Sequence, residues 1–382
     1  MNFEFSEEQQ QFADSVKKLL GSRYTFEQRK AILRSAQGID SELWQTLADL
    51  GLMALSVPEA DGGFGGTAID LMGAMQACGE ALVVEPVLDN IGLAGRLVAK
   101  AGSPAQRAQW LPGLLDGSVR LAFANYEPGC RYALEPTLTS ATARTDSTGS
   151  KGWVLQGAKC VVIGAPVAHQ LIVSAATPGG VSLFLLDPTA AGVHLNPSRT
   201  ADGQSCADVV LEQVQLGPES LLGEDGQALA LIEEAVDFAS ALLCADAVGA
   251  MSDANEATLA YLKTRKQFGV PIGSFQVLQH RMVEMTIACE QARSMAILAA
   301  SKVDAGVSVA ERQRVVSMAM VKIADSARQI SQESVQLHGG MGMTEELKIS
   351  HTFRRLTMIG QRFGDADHHL ERYAGLQSNA AV

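Results

Sequence analysis

The chain has 382 residues, of which 47% are hydrophobic and 19% charged, with a formal net charge of −12. This length supports two or three domains and a large core, and the composition excludes collagen-like, low-complexity and wholly disordered chains. The acidic balance excludes a general binder of nucleic acid or anionic membrane, which needs a basic excess to neutralise phosphate, but leaves room for a local arginine site for an anionic cofactor.

Six cysteines (Cys78, Cys130, Cys160, Cys206, Cys244 and Cys289) are scattered without a CxxC pair. They read as reduced thiols and not as a disulfide or zinc framework. The opening MNFEFSEEQQ has no basic region followed by an apolar one, and no uninterrupted apolar run reaches the ~18 residues of a membrane span. The expectation is a cytoplasmic protein with no membrane span.

Taken in chain order, residues 6–118 read as helical. Ser6 before Glu7 and Glu8 is an N-cap with an acidic first turn, and the run Asp40–Leu50 stops at Gly51. The segment PEADGGFGG, Pro58–Gly66, reads as a flexible glycine loop; helix resumes from Ala68 to Ala101 with an interruption near Pro86. From about residue 119 to 223 the texture changes to short apolar runs, GWVL, CVVI, QLIVSA, VSLFLL and DVVLEQVQL, bounded by turn residues. Such runs without intervening helices predict an antiparallel β-barrel or sandwich. Residues 224–382 read as a helical bundle, with Phe275, Leu278, Met282, Met285, Cys289, Ala292 and Ala296 at +3/+4 steps, and a second long helix over 310–337 that ends at Gly339-Gly340. The expected architecture is multidomain α+β: an N-terminal helical domain (1–118), a middle β domain (119–223) and a C-terminal four-helix bundle (224–382). Trp44, Trp110 and Trp153 read as packing residues.

Generic catalytic patterns are missing: there is no GxGxxG after a strand, no phosphate-binding P-loop, no HExxH and no GxSxG. His368-His369 is a poor metal site, since neighbours on a helix point about 100° apart, so a solvated or capping pair is expected. Two segments carry more. In RKQFGVPIGSFQVLQH, Arg265–His280, the bland reading is a helix corner with a basic end; the sharper one is an anion clamp, Arg265 donating to phosphate beside the apolar wall of Phe268. In QLHGGMG, Gln336–Gly342, the glycines either cap a helix or let a ligand approach the backbone.

Together these segments make the chain resemble the acyl-CoA dehydrogenase family over its whole length. The RxQFG…FQ…QH pattern reads as Arg265, Gln267, Phe268, Gly269, Phe275, Gln276, Gln279 and His280, and QxxGGxG as Gln336, Gly339, Gly340 and Gly342. The resemblance implies a tetramer, FAD as cofactor and an acyl-CoA thioester as substrate. It implies that a carboxylate removes the α-proton while the flavin accepts the β-hydride, giving a 2-enoyl-CoA, with an electron-transfer flavoprotein as electron acceptor. The thioester α-proton is weakly acidic, so the base must be poised in a dry pocket and the enolate oxygen must meet preorganised donors. In that family Arg265, Gln267, Phe268, Gln276, Gln336, Gly339 and Gly340 fall at positions that reach the nucleotide end of a neighbouring subunit's FAD.

The same-subunit flavin positions depart from the pattern. The family's T-E-P-x-A-G-S-D reads Tyr126-Glu127-Pro128-Gly129-Cys130-Arg131-Tyr132-Ala133, and its K-x-W-I-T reads Lys159-Cys160-Val161-Val162-Ile163. Val161 thus stands for the Trp that packs on the flavin ring and Ile163 for the Thr that bonds it. The base position before Gly-Thr is Phe363, followed by Gly364 and Asp365, and its alternative register is Ala239. Glu233, Glu234, Asp237, Asp246 and Asp365 are the carboxylates near these positions in sequence. Asp246, inside the apolar ALLCADAVG, is the candidate for a displaced base, against a buried hydrogen-bonded residue; Asp365 is a second candidate, against a helix N-cap.

The pattern resembles one branch of the family, the small subunits of two-gene acyl-CoA dehydrogenases of the pimeloyl-CoA or sterol side-chain type. What this implies is a heterotetramer with a homologous large subunit that carries the ring contacts and the base, completed by this chain's clamp. The alternatives are a self-sufficient homotetramer using Asp246, and a non-catalytic scaffold that keeps the fold.

Overall fold

A computed structural model describes residues 5–145, 149 and 151–380. The helices α1 (Glu7–Arg23), α2 (Phe26–Arg34), α3 (Ser41–Asp49), α4 (Ala68–Ala81), α5 (Arg96–Ala101) and α6 (Pro104–Leu115) come first, with a π-helix over Leu88–Gly95. The strands follow: β1 (Leu121–Ala124), β2 (Ser140–Thr145), β3 (Lys151–Ile163), β4 (Gln170–Thr177), β5 (Gly180–Leu186), β6 (Val193–Arg199), β7 (Ser205–Leu216) and β8 (Leu221–Leu222). Next come α7 (Leu229–Thr264), a hairpin of β9 (Lys266–Gln267) and β10 (Val270–Pro271), α8 (Gln276–Val303), α9 (Val309–His338), α10 (Lys348–Ile359) and α11 (Ala366–Ala380). The helical N-terminal region, central sheet and C-terminal bundle are those expected.

The Ser6 cap is where the sequence puts it. Ser6 Oγ accepts from the Gln9 amide at 3.2 Å while Gln9 Oε1 accepts from the Ser6 amide at 2.8 Å, a reciprocal capping box. Asp40 Oδ1 accepts from the Glu42 and Leu43 amides to start α3, and Gly51 at φ 88° ends it. The segment 58–66 is not a free glycine loop. The amides of Gly63, Phe64, Gly65 and Gly66 donate to the carbonyls of Pro58, Ala54, Val57 and Leu55, and a β-carbon on Gly63 would collide with the Val57 carbonyl. Here glycine serves close backbone approach.

By contacts the chain forms two compact units. The first comprises Met1–Ala31, Thr67–Val83 and Ser240–Val382, and is helical. Its seam follows the predicted +3/+4 spacing: Met282, Met285, Cys289, Ala292 and Ala296 are buried, while Phe275 at the helix start is exposed. Two glycines permit close crossing of α4 and α7, since a β-carbon on Gly79 would strike the Asp246 carbonyl and one on Gly249 the Gln76 carbonyl. Although α7 is long and apolar enough to cross a bilayer, 94% of its most apolar window is buried within the protein, as in a core helix.

The second unit comprises Ile32–Gly66 and Val84–Ala239 and holds an eight-stranded sheet, ordered β6-β7-β3-β2-β4-β5-β8 with β1 on β4. The sheet is mixed. Most pairings are antiparallel, but β1 runs parallel to β4, Leu121 facing Gln170 through Ala124 facing Val173. A parallel neighbour needs a long connection, and residues 125–169 supply it. The runs GWVL and CVVI belong to one strand, β3, because Gly157 and the bulge beyond Lys159 bend the ladder without ending it. One face of the sheet packs a core that includes Ala122, Leu155, Leu171, Phe184 and Val209, all fully buried.

Candidate functional site

The first candidate constellation lies in the helical unit. Arg265, the residue after α7, is exposed, and its carbonyl accepts the Ile272 amide at 2.8 Å, closing the β9–β10 hairpin at its base. Val270 pairs with Gln267, so the turn consists of Phe268 (φ 52°) and Gly269 (φ 83°), both left-handed as a two-residue hairpin requires. This geometry thrusts Phe268 outward: it is 92% exposed and touches protein edge-on at Phe275, 6.2 Å between ring centres. The next helix, α8, begins at Gln276 with no side-chain cap and no acidic residue in its first turn, which leaves backbone donors and the positive dipole end available to an anion. At the end of α9, Gln336, Gly339 and Gly340 are exposed; Gly339 has φ 61° and ψ −144°, and a β-carbon at either glycine would meet nothing within 4 Å. Arg281 Nε bonds Glu333 at 2.5 Å and ties α8 to α9 beside this end.

The second constellation lies in the sheet unit. The Cys160 amide donates to the Tyr126 carbonyl at 2.9 Å, so the two segments that diverge from the family pattern are neighbours. Between Lys159↔Val209 and Val162↔Ala207, residues 160 and 161 oppose the single residue 208, a β-bulge. Val161 occupies its left-handed position at φ 50°, its amide held by Asp208 Oδ1 at 2.9 Å, and is 51% exposed. A β-branched residue in that conformation is strained by about 1–2 kcal/mol. Val161 and Ile163 present only carbon from their side chains, so neither can hydrogen-bond a flavin ring.

Beneath the bulge, Lys159 is fully enclosed and donates to Glu127 Oε1 at 2.9 Å, Ser174 Oγ at 3.1 Å and the Asn125 carbonyl at 3.0 Å. Glu127 also accepts the amides of Thr137, Leu138 and Thr139 at 2.7–2.8 Å. Burial opposes ionisation of Glu127, but the Leu138 amide, the Lys159 ammonium and the Thr137 amide outweigh it and bring its pKa down to about 2. Burial likewise lowers Lys159 to about 8, with Glu127 resisting. This pair ties β3 to Asn125, to Ser174 on β4 and to the backbone of residues 137–139.

Of the carboxylates near the base positions in sequence, Asp246, Asp365 and Glu234 are each engaged by neighbouring groups. Phe363, read from the sequence as the usual base position, is 6% exposed and left-handed at φ 61°, followed by Gly364 at φ 132°. Ala239, at the alternative register, is fully buried. Asp246 is 1% exposed and gripped by Arg355, Nε to Oδ1 at 3.1 Å and Nη2 to Oδ2 at 2.6 Å. That arrangement is the buried, hydrogen-bonded one, with both carboxylate oxygens engaged. Asp365 Oδ1 accepts the His368 amide at 2.9 Å at the start of α11, as an N-cap does. Glu234 is bound by Arg96 and Lys100, which hold it below the usual carboxylate range against the opposing effect of burial. Asp237 is fully buried. His369, expected to be solvated or capping, is 1% exposed instead, and burial lowers its pKa to about 3.

Besides the Arg355 partner of Asp246, sequence reasoning missed the Glu127–Lys159 pair and the Tyr261–His338 stack. The Glu127–Lys159 pair had a signal, since both residues keep the family identity in segments that otherwise drift. The stack of Tyr261 on His338, 4.5 Å between ring centres at 28°, had none, because 77 positions separate the two.

Comparison with known proteins agrees with the motif reading. Residues 6–118 match the model for the acyl-CoA dehydrogenase N-terminal domain and residues 226–373 that for the C-terminal domain. The acyl-CoA dehydrogenase FadE12 of Mycobacterium tuberculosis is 30% identical over 321 residues, 81% of each chain. The human mitochondrial short-chain specific acyl-CoA dehydrogenase is 29% identical over 349 residues, 86% of this chain and 82% of that one. Among solved structures, a chain of the ChsE4-ChsE5 complex from Mycobacterium tuberculosis superposes with a TM-score of 0.89 at 25% identity, covering 99% of both. The Tcur3481-Tcur3483 steroid ACAD gives 0.87 at 29% identity, covering 98% of this chain and 99% of that one.

Proposed function

Because the chain belongs to the acyl-CoA dehydrogenase family, a family of FAD-dependent oxidoreductases, we propose that it is the base-lacking subunit of a heteromeric acyl-CoA dehydrogenase. In this reading it pairs with a homologous chain, as a two-plus-two heterotetramer, and lends its nucleotide clamp to the FAD seated in that partner. Arg265, Gln267, Phe268, Gln276, Gln336, Gly339 and Gly340 hold the diphosphate and adenosine end. The residues present fit that end: an exposed guanidinium, an uncapped helix start and two glycines whose backbone a ligand can approach.

They do not fit the ring end. Val161 and Ile163 replace the aromatic wall and the hydroxyl donor, so no reaction step is assigned to this chain's own pocket. The FAD supplies hydride acceptance when bound in the partner. What this chain contributes is binding and orientation of the cofactor's nucleotide half. The substrate is an acyl-CoA thioester dehydrogenated to the 2-enoyl-CoA, with an electron-transfer flavoprotein as acceptor.

The observation that carries the reading is Phe363. In the sequence register of the family's base this chain has Phe363, a buried ring at φ 61° followed by Gly364, and a phenyl ring cannot accept a proton. The geometry of Asp246 does not favour the homotetrameric alternative. The ChsE4-ChsE5 complex and the Tcur3481-Tcur3483 steroid ACAD support pairing by analogy. The test is expression alone and together with a homologous chain encoded beside it. The expected outcome is a colourless, inactive protein alone and a yellow, active complex together; a flavin-saturated homomer that turns over would refute the proposal.

A further inference from the structure

The two halves of the clamp sit on the ends of different helices, and a ring stack joins those ends. Tyr261 lies one turn before Arg265 on α7, its carbonyl accepting the Arg265 amide at 2.8 Å. His338 is the last residue of α9, directly before Gly339. Their rings stack at 4.5 Å and 28°. His338 is 4% exposed, and its Nδ1 lies 2.8 Å from the Ser334 carbonyl, which can only accept, so Nδ1 carries the proton and the ring is fixed to its own helix. Burial keeps the imidazole neutral by lowering its pKa. On either side of the stack the clamp is bare: Arg265 through Pro271 are exposed, and nothing packs where β-carbons of Gly269, Gly339 and Gly340 would stand.

We infer that the Tyr261–His338 stack is the spacer of the clamp, setting the separation of the Arg265 guanidinium from the Gly339-Gly340 backbone so that both engage one dinucleotide. The two aromatic residues are positioning residues. They act through Arg265 and the glycine turn and supply no group to the reaction. Preorganisation of this kind favours binding because the ligand need not order the two arms itself. The stack is a contact between planar rings, so a phenyl ring at residue 338, confined by the same burial, should keep it without the Nδ1 bond.

The inference rests on the clamp reading above, and the test separates the two. The complex of this chain with its homologous partner is stripped of flavin and titrated with FAD, following quenching of flavin fluorescence. Arg265→Ala should weaken FAD binding about tenfold or more, which tests the clamp itself. His338→Ala and Tyr261→Leu should each weaken it about tenfold, the scale of one aromatic pair, while His338→Phe, which keeps the stack and loses both nitrogens, should stay within about twofold of the parent. Circular dichroism and thermal melting confirm that each variant is folded, and His338→Phe guards against simple loss of the helix end. Loss in Arg265→Ala with parental affinity in His338→Ala overturns the spacer and leaves the clamp standing. Equal loss in His338→Phe and His338→Ala also overturns it, because a ring would then not be enough. An unaffected Arg265→Ala removes the clamp reading and the spacer with it.

Discussion

Arg355 holds Asp246 by two hydrogen bonds, 2.6 and 3.1 Å long, between residues that are 6% and 1% exposed. The carboxylate that the sequence offers as a substitute base is thus the anionic half of a buried ion pair. Asp246→Asn leaves the guanidinium buried without its counter-charge and should destabilise the helical unit by about 3–5 kcal/mol in urea unfolding. Replacing both partners, Asp246→Leu with Arg355→Met, should recover most of that loss. An Asp246→Asn complex that keeps its full stability and loses turnover would return Asp246 to the role of base.

Glu127 and Lys159 make a second buried pair with a predictable pH signature. The folded-state pKa of Glu127, about 2, lies below its ordinary 4.5, so its stabilisation is present above pH 4.5 and lost as the pH falls toward 2. Lys159 acts at the other end. Its pKa of about 8 lies below its ordinary 10.5, so between pH 8 and 10.5 the unfolded chain holds the extra proton and stability rises with pH. Glu127→Gln should remove the acid-side loss and destabilise the sheet unit at neutral pH by about 3–5 kcal/mol, read from chemical denaturation across the pH range.

His369 should contribute to the slope at mildly acid pH, beside the other histidines that burial shifts down. Burial lowers its pKa from 6.5 to about 3, so the unfolded chain takes up a proton that the folded chain refuses as the pH falls through that window. Stability should fall by up to about 1.4 kcal/mol per pH unit from this group. His369→Gln should flatten the slope between pH 6 and 4, and an unchanged slope would mean that the ring is reached by water.

Val161 tests the bulge. Glycine at this left-handed position relieves the β-carbon clash, so Val161→Gly should stabilise the sheet unit by about 0.5–1 kcal/mol after its own entropic cost. Val161→Trp with Ile163→Thr restores the missing wall and hydroxyl on a backbone still braced by Glu127 and Lys159. Flavin retained after gel filtration of this chain alone should rise above the parent; no increase would show that the ring pocket is lost in backbone as well as side chain.

The features legible in the sequence are those set by near neighbours along the chain. Ser6 as a cap, Gly51 and Gly339 as stops and the Met282–Ala296 seam each depend on residues a few positions apart, whose conformational preferences act without the rest of the protein. The family motifs belong to this class, as does the reading of Phe363 at the base position, because a phenyl ring has no lone pair in any environment. The tertiary structure alone decided the rest. The partner of Asp246 lies 109 positions away, the stack on Tyr261 joins two helix ends, the parallel pairing of β1 with β4 closes over a long connection, and the glycines of 58–66 serve contact, not freedom. A charge, a ring or a glycine takes its meaning from what packs against it, and that neighbour is chosen by the folding of the whole chain.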